Sequence, residues 1–432
     1  LTSSPTISPP GPRRSLLRRG SGARGAASGL EGNALALMIS TASTGLLGLV
    51  FWTVAARGFP AAEVGRASAV ISSATMLASL ATLSLGGMFE RFLPLTGHRT
   101  RSLIVAGYTV TSIAAVLFGA GFLVLGSQSV LHGTAEHVMF PAFVVILTMF
   151  GLQDFVLTGL RGARWVAVKN VSYAVVKLAA VALLAASGSA TAIVLGWMIP
   201  ALVGLLVINA VLFTRGLRGI TGEPDLPPVR ELRVYFGVTY LTSAVATATP
   251  LLLPLIVIGL LGAEANAVFN LVWTLTSGCV LLVGATTGAF VVEAVRDRAA
   301  LRSLIRRFVR ILALVAAAGM AVLILAAPVY LEIVGPEYAE FGPALARVLA
   351  LALPATAVLM LYNSLARVLG RLKMLVVVQL VTASLVIGLS FPAVHAWGMV
   401  GVGWSFLIGE SVAALVASVP LYRMLRSLRT DS

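Results

Sequence analysis

Between residues 33 and 421 the chain breaks into twelve apolar stretches of roughly 17 to 26 residues, separated by short polar intervals. A bilayer core about 30 Å thick takes about 20 residues of α-helix to cross, so each stretch is long enough to span it. None shows the two-residue alternation of a transmembrane β-strand. The pattern therefore predicts an all-α, polytopic membrane protein with about twelve transmembrane helices in two six-helix lobes. The spans read 33–56, 67–89, 102–126, 139–160, 171–187 and 191–213, then 238–261, 267–292, 309–332, 343–364, 374–392 and 400–421. The longest polar interval, 214–237, carries TGEPDLPPVREL and separates an N-terminal lobe (33–213) from a C-terminal lobe (238–421). Residues 1–32 read as a disordered basic tail, and 422–432 as a second short tail.

Charge decides the orientation. The 31 Lys and Arg against 16 Asp and Glu give a net charge of +15, which in a soluble protein would point to nucleic acid. Only 11% of the residues are charged, however, and the mean hydropathy is +0.98. Soluble chains carry about 25% charged residues. All the basic residues except Arg57, Arg66, Lys177 and Arg347 fall in the tails or in the connections that follow even-numbered spans. By the positive-inside rule, both termini and those connections are expected in the cytoplasm, with the chain multi-pass in the cell membrane. The charge then orients helices, and no nucleic-acid partner is expected.

The halves echo each other. Ala62-Glu63 and Gly87-Met88-Phe89 recur as Ala263-Glu264 and Gly288-Ala289-Phe290 at a constant offset of 201. Asp154 and Arg164 match Asn363 and Lys373 at an offset of 209. Six spans return the chain to its starting side, so the duplication is parallel, with its axis along the membrane normal.

Machinery for chemistry is hard to find. Cys279 is the only cysteine, and the only close histidine pair, His132 and His137, has a spacing that does not place both on one helix face. No metal site, cofactor or catalytic residue is expected. GSGARG (20–25) follows no strand, so it is not a dinucleotide fingerprint. Loops on the side opposite the basic connections are too short to hold an acceptor, which argues against an enzyme.

Ionisable residues inside the spans are the best pointers to function, since a charge at a helix centre costs at least about 2.5 kcal/mol. Asp154 and Lys177 lie at one depth, about 9 Å inside the basic boundary if helix 5 starts at 171, and so suit an ion pair. Glu410, near the middle of helix 12, suits a proton or cation site, and Asp154 is the other candidate for ion coupling. Arg57 closes helix 1 against the positive-inside trend, and Arg91 closes helix 2 in FERFLP. An arginine facing a cavity suits a phosphate, which it grips through two N–H groups. Pro250 and Pro254 free backbone carbonyls in helix 7 and suit a hinge. The run Arg296–Arg310 reads as an amphipathic segment attracted to anionic membrane lipid.

The strings STASTGLLGLVFWTVAARGFPAAEVGRASAVISS, LSLGGMFERFLP, LQDFVLTGLRGARWVAVKNVSYAVVKLAAV and GWMIPALVGLLVINAVLF resemble the polysaccharide biosynthesis, O-antigen flippase-like branch of the MOP (MATE-like) superfamily, in an actinobacterial style. The similarity spans about 33 to 421 and is stronger in the first half. It implies a central cavity between two lobes and alternating access. It also implies a lipid-linked oligosaccharide, an isoprenyl-pyrophosphate glycan, moved from the inner to the outer leaflet for cell-surface polysaccharide synthesis. Arg57 and Arg91 match the basic cavity positions on helices 1 and 2, while helices 7 and 8 hold no Lys or Arg within their spans. With Lys177 these form the expected substrate-binding set, with Asp154 or Glu410 coupling to Na+ or H+. The alternatives are a cation-coupled MATE-type exporter of small molecules and, third, a membrane enzyme of glycan assembly.

Overall fold

The computed structural model describes residues 43–82, 84–126, 130–218, 220–225, 229–296, 301–369 and 372–430. The N-terminal tail expected at 1–32 lies outside them. The described chain is helical throughout: α1 (43–58), α2 (Ala61–Ala81), α3 (Leu85–Phe92), α4 (Thr100–Leu125), α5 (Thr134–Gly159), α6 (Ala163–Leu184), α7 (Ala190–Val211), α8 (Val229–Leu261), α9 (Ala263–Arg296), α10 (Leu301–Ala321), α11 (Ala327–Val334), α12 (Pro336–Val368), α13 (Leu372–Trp397) and α14 (Met399–Thr430). Among the described residues, ten stretches are long and apolar enough to cross a membrane. One of these, Thr247–Gly284, runs from α8 into α9 across the turn at Gly262, and α1 is described over only part of its length. With α2/α3 and α10/α11 each a single broken or continued helix, twelve spans result. The chain is a multi-pass membrane protein of all-α fold.

Three departures from the sequence-based spans have local causes. Helix 2 is interrupted after Ala81, and Ser84 takes a left-handed backbone (φ 57°) before α3 begins. Thr75, Ser79 and Thr82 each turn their hydroxyl back onto the carbonyl four residues earlier, which bends a helix and weakens its ladder. Helix 5 begins at Ala163, eight residues before the expected 171. Helix 9 likewise begins early, at Leu301 rather than 309, and takes in most of the Arg-rich segment. From Leu301 that segment is the first part of α10, with Leu301, Ile305, Phe308 and Leu312 buried and Arg302, Arg306, Arg307 and Arg310 exposed on the other side. A π-turn at Val322–Ala326 then joins α10 to α11.

In the N-terminal half α5 packs on α2, α4 and α7, and α6 packs on α7; in the C-terminal half α12 packs on α9, α10 and α14, and α13 on α14. The halves meet through α2 against α8 and α9. That seam is tightest at the end of the bundle away from the basic connections. There the Gly65 backbone lies so close to Ala263 that a Cβ at 65 would collide with the Ala263 carbonyl. Asn266 Nδ2 donates to Gly65 O (2.7 Å) and Ser68 Oγ (2.9 Å), Arg57 donates to Ile333 O (2.6 Å), and Thr53 and Tyr330 share a hydrogen bond of 2.8 Å. Beside this seal Arg66 is held by Glu63 (2.9 Å) and Glu136 (3.2 Å), while the same carboxylates accept from Ala190 N and the Thr191 hydroxyl at the start of α7. The two long cavities occupy the other half of the bundle, toward the basic end.

Candidate functional site

Each half carries a large cavity. The N-terminal one, about 560 Å³, is lined by α2, α3, α5, α6, α7 and α8; the C-terminal one, about 490 Å³, by α8, α9, α12, α13 and α14. Helix α8 contributes to both: Tyr240, Ala244 and Thr247 face the first, and Val245, Thr249 and Pro250 the second.

The two cavities are copies. Thr75 on α2 and Thr276 on α9 line them at the offset of 201 found in the sequence. At the offset of 209, Leu147 matches Thr356, Phe150 matches Leu359, Gly151 matches Met360, Tyr173 matches Thr382 and Trp197 matches Phe406, each residue lining its own cavity. A parallel duplication places equivalent residues of two bundles around equivalent spaces, and the repeat in sequence becomes a repeat of sites.

Charge is where the copies differ. Glu410 lines the C-terminal cavity, and its counterpart in the other half is Ala201. The carboxylate is 9% exposed and accepts a hydrogen bond from Thr356 Oγ1 (2.8 Å), among Trp273, Phe406 and Val386. No other acidic or basic residue lines that cavity among the described residues. In the N-terminal half, Lys169 and Lys177 stand where Val378 and Val386 stand in the other. Both ammonium groups lie behind aromatic residues. Lys177, 6% exposed, sits 3.7 Å from the centroid of the Trp197 ring, with Tyr173 at 5.1 Å and Phe51 at 5.3 Å. Desolvated cation–π contacts of this kind are worth about 2 kcal/mol, which offsets part of the cost of burying the charge. Tyr173 and Trp197 also line the cavity.

Asp154 pairs with Lys169 (2.6 Å), not with Lys177, and accepts a further hydrogen bond from Asn170 (3.0 Å). The reason is the early start of α6: beginning eight residues sooner slides the depth match along the helix by eight residues, from Lys177 to Lys169. Lys169 also donates to Phe150 O (2.6 Å) and lies over the Phe150 ring. Counting Lys169 with the polar connection hides it, although Lys169, Tyr173 and Lys177 recur every fourth residue and so share one helix face. Removing one partner from a buried pair leaves the other charge uncompensated. Asp154 is 28% exposed, which moderates the effect. Asp154→Asn should lower stability by about 2 kcal/mol, read as thermal unfolding in detergent, with most of the loss recovered by adding Lys169→Met. Unfolding of Asp154→Asn at the unsubstituted temperature would show the pair to be inert.

The other expected residues lie elsewhere. Arg57 is outside both cavities, on the seal at the far end. Arg91 is exposed at the end of α3, its guanidinium near the Phe92 ring, and also lines neither cavity. Pro250 and Pro254 lie within α8, which stays helical through both, and Pro250 reaches the C-terminal cavity wall. Among the described residues no cluster of His, Cys, Asp and Glu is arranged to hold a metal ion.

No protein-family profile and no curated protein matches the sequence. Solved structures do match in fold. An inward-facing multidrug resistance MATE transporter of the MOP superfamily superposes with a TM-score of 0.68 at 16% identity, over 92% of this chain and 99% of that one. The MATE multidrug transporter DinF-BH, solved as a complex, gives 0.67 at 16% identity over 95% and 98%. A MOP superfamily transporter from Pyrococcus furiosus, described as having a binding pocket of reverse polarity, gives 0.58 at 16% over 93% and 96%. The chain thus has the MATE fold, and these proteins of like fold are transporters.

Proposed function

We propose that this membrane transporter is an ion-coupled exporter of an amphipathic small molecule, working by alternating access between the two halves. The observation that carries the reading is the C-terminal cavity: a mostly apolar space of about 490 Å³ with two aromatic side chains and one carboxylate, Glu410. Drug-sized ligands take cavities of about 300–1,000 Å³ with few polar groups. A carboxylate beside aromatic faces suits a lipophilic cation or an exchangeable proton. With the basic end in the cytoplasm and the membrane that of the cell, the cavities face the cytoplasm and the Gly65–Asn266 seal closes the outside. The far-end seal supports this arrangement. Opening the seal would require α8 to bend, and Pro250 and Pro254 are its weakest points.

A second reading is favoured by Lys177. Its ammonium group has no carboxylate partner among the described ion pairs, and two of its aromatic neighbours, Tyr173 and Trp197, form part of the N-terminal cavity wall. An anionic headgroup is suited to that half, and with the O-antigen flippase-like resemblance this makes a lipid-linked oligosaccharide the competing substrate. Arg91, at the basic boundary, would then meet the pyrophosphate first, while Arg57 serves the seal.

Proteoliposomes separate the two. A fluorescent organic cation accumulating under an imposed H+ or Na+ gradient, with no movement of labelled isoprenyl-pyrophosphate oligosaccharide, is the expected result. Translocation of the glycan lipid without cation movement would overturn the exporter reading in favour of the second.

A further inference from the structure

A third cavity, about 440 Å³, opens at the basic end between the start of α4 and the end of α7, away from the transport cavities. Its lining includes His98, Thr100, Arg101, Phe213, Thr214 and Arg218, and no acidic residue. Arg101 lies over the Phe213 ring (5.9 Å), and neither Arg101 nor Arg218 takes part in an ion pair among the described residues. Two exposed guanidinium groups with no counter-charge facing a polar cleft form a site for an oxyanion.

The surface above the cleft identifies what carries that anion. Val105 stands one turn along α4 from Arg101, with Ile113 two turns further on; Val211 and Val207 stand two and three turns back along α7 from the level of Arg218. All four are exposed, between 48% and 56%. A hydrogen bond from Tyr108 to Asn209 (3.2 Å) ties α4 to α7, and Val207 and Val211, each two residues from Asn209, lie on the opposite face of α7. Cationic groups at the membrane boundary beside exposed apolar helix faces match the two chemistries of one phospholipid.

The cleft is also built rather than open surface. The strap between the halves is docked against its rim: His98 N donates to Gly222 O (2.8 Å) and Asp225 N to Leu95 O (2.9 Å). Gly97, with φ of 50°, is required there, because a Cβ would strike the Gly222 carbonyl. Ile220, from the same strap, closes one side of the cleft.

We infer that Arg101 and Arg218 bind the phosphate of an anionic phospholipid whose acyl chains lie along α4 and α7, independently of the transported substrate. Native mass spectrometry of the purified full chain, released from detergent with dioleoyl phosphatidylglycerol or dioleoyl phosphatidylcholine, tests it. One retained phosphatidylglycerol, at least about tenfold over phosphatidylcholine, is expected, and the double substitution Arg101→Gln, Arg218→Gln should lose about tenfold of that retention. Arg423→Gln, on the exposed face of α14, should lose none. Thr214→Glu, which sets a carboxylate in the cleft and leaves both arginines in place, should repeat the loss and serves if the double variant does not fold. Equal retention of the two lipids, or unchanged retention in the variants, overturns the inference. Displacement of the lipid by millimolar inorganic phosphate also overturns it, since that marks a free-anion site.

Discussion

Glu410→Gln is expected to reduce gradient-driven transport at least about tenfold while leaving insertion and folding intact. The substitution is nearly isosteric, and the glutamine carbonyl can still accept the hydrogen bond from Thr356, so packing around it is kept. What disappears is the only ionisable side chain on the C-terminal cavity wall among the described residues. A carboxylate at mid-helix costs at least about 2.5 kcal/mol to hold in hydrocarbon, a cost recovered when it takes up a proton or a cation. In the proposed exporter, the inward- and outward-facing states would then lack the ionisable group that a gradient can act on in this cavity. The measurement is substrate accumulation in proteoliposomes under imposed pH and Na+ gradients. Accumulation by Glu410→Gln at the unsubstituted rate would remove Glu410 from the coupling mechanism.

Gly65→Leu should open the far-end seal. The α2 and α9 backbones touch at Gly65 and Ala263, and nothing flexible can give way there, because the colliding atoms are main chain. Overpacking such a contact costs about 1–3 kcal/mol. That penalty falls only on the state in which the seal is closed, so it shifts the equilibrium toward the opposite state by about tenfold or more. Cys279 is the only native cysteine, and Cys279→Ser provides a background for the assay. A cysteine introduced at Ile71, buried less than two turns from Gly65, should react with a membrane-impermeant thiol reagent about tenfold faster when Gly65→Leu is also present. An unchanged rate would mean that the seal does not set the balance between states.

Much of the architecture was legible in the chain because the bilayer makes it so. A span must be apolar, must be helical to satisfy its backbone, and must be about 20 residues long. Twelve spans and the side carrying the basic residues follow from that single-dimension rule, while the duplication shows in residues matched at offsets of 201 and 209. The ends of the helices did not follow. Ala163 to Asn170 reads as polar because it contains Arg164 and Lys169, yet α6 begins at Ala163 and Lys169 is only 4% exposed. Polarity marks a boundary only when the charge meets water, and here Asp154 and the Phe150 carbonyl meet it instead. The break in helix 2 was equally hidden, since its cause lies in hydroxyl groups that face the backbone rather than in a proline or a charge.

The candidate site divides the same way. Glu410 and Lys177 were identifiable as intramembrane charges from sequence alone, because hydrocarbon penalises them wherever they point. Which charges meet was not identifiable, because that depends on helix rotation and depth to within one turn. Only the packed bundle placed Arg57 on a seal instead of in a cavity, and moved the partner of Asp154 from Lys177 to Lys169. The offset of 209 was visible in a few scattered matches; its meaning, two equivalent cavities with a carboxylate in one and lysines behind the other, required the walls to be seen together. By itself the sequence determined that the chain crosses the membrane and how many times, since those properties are set residue by residue by solvation, and it carried the internal repeat as residues matched at constant offsets. The tertiary structure alone decided which ionisable groups face a cavity, a partner or a seal, since contacts between distant helices depend on rotation and register, which solvation of the single chain does not encode.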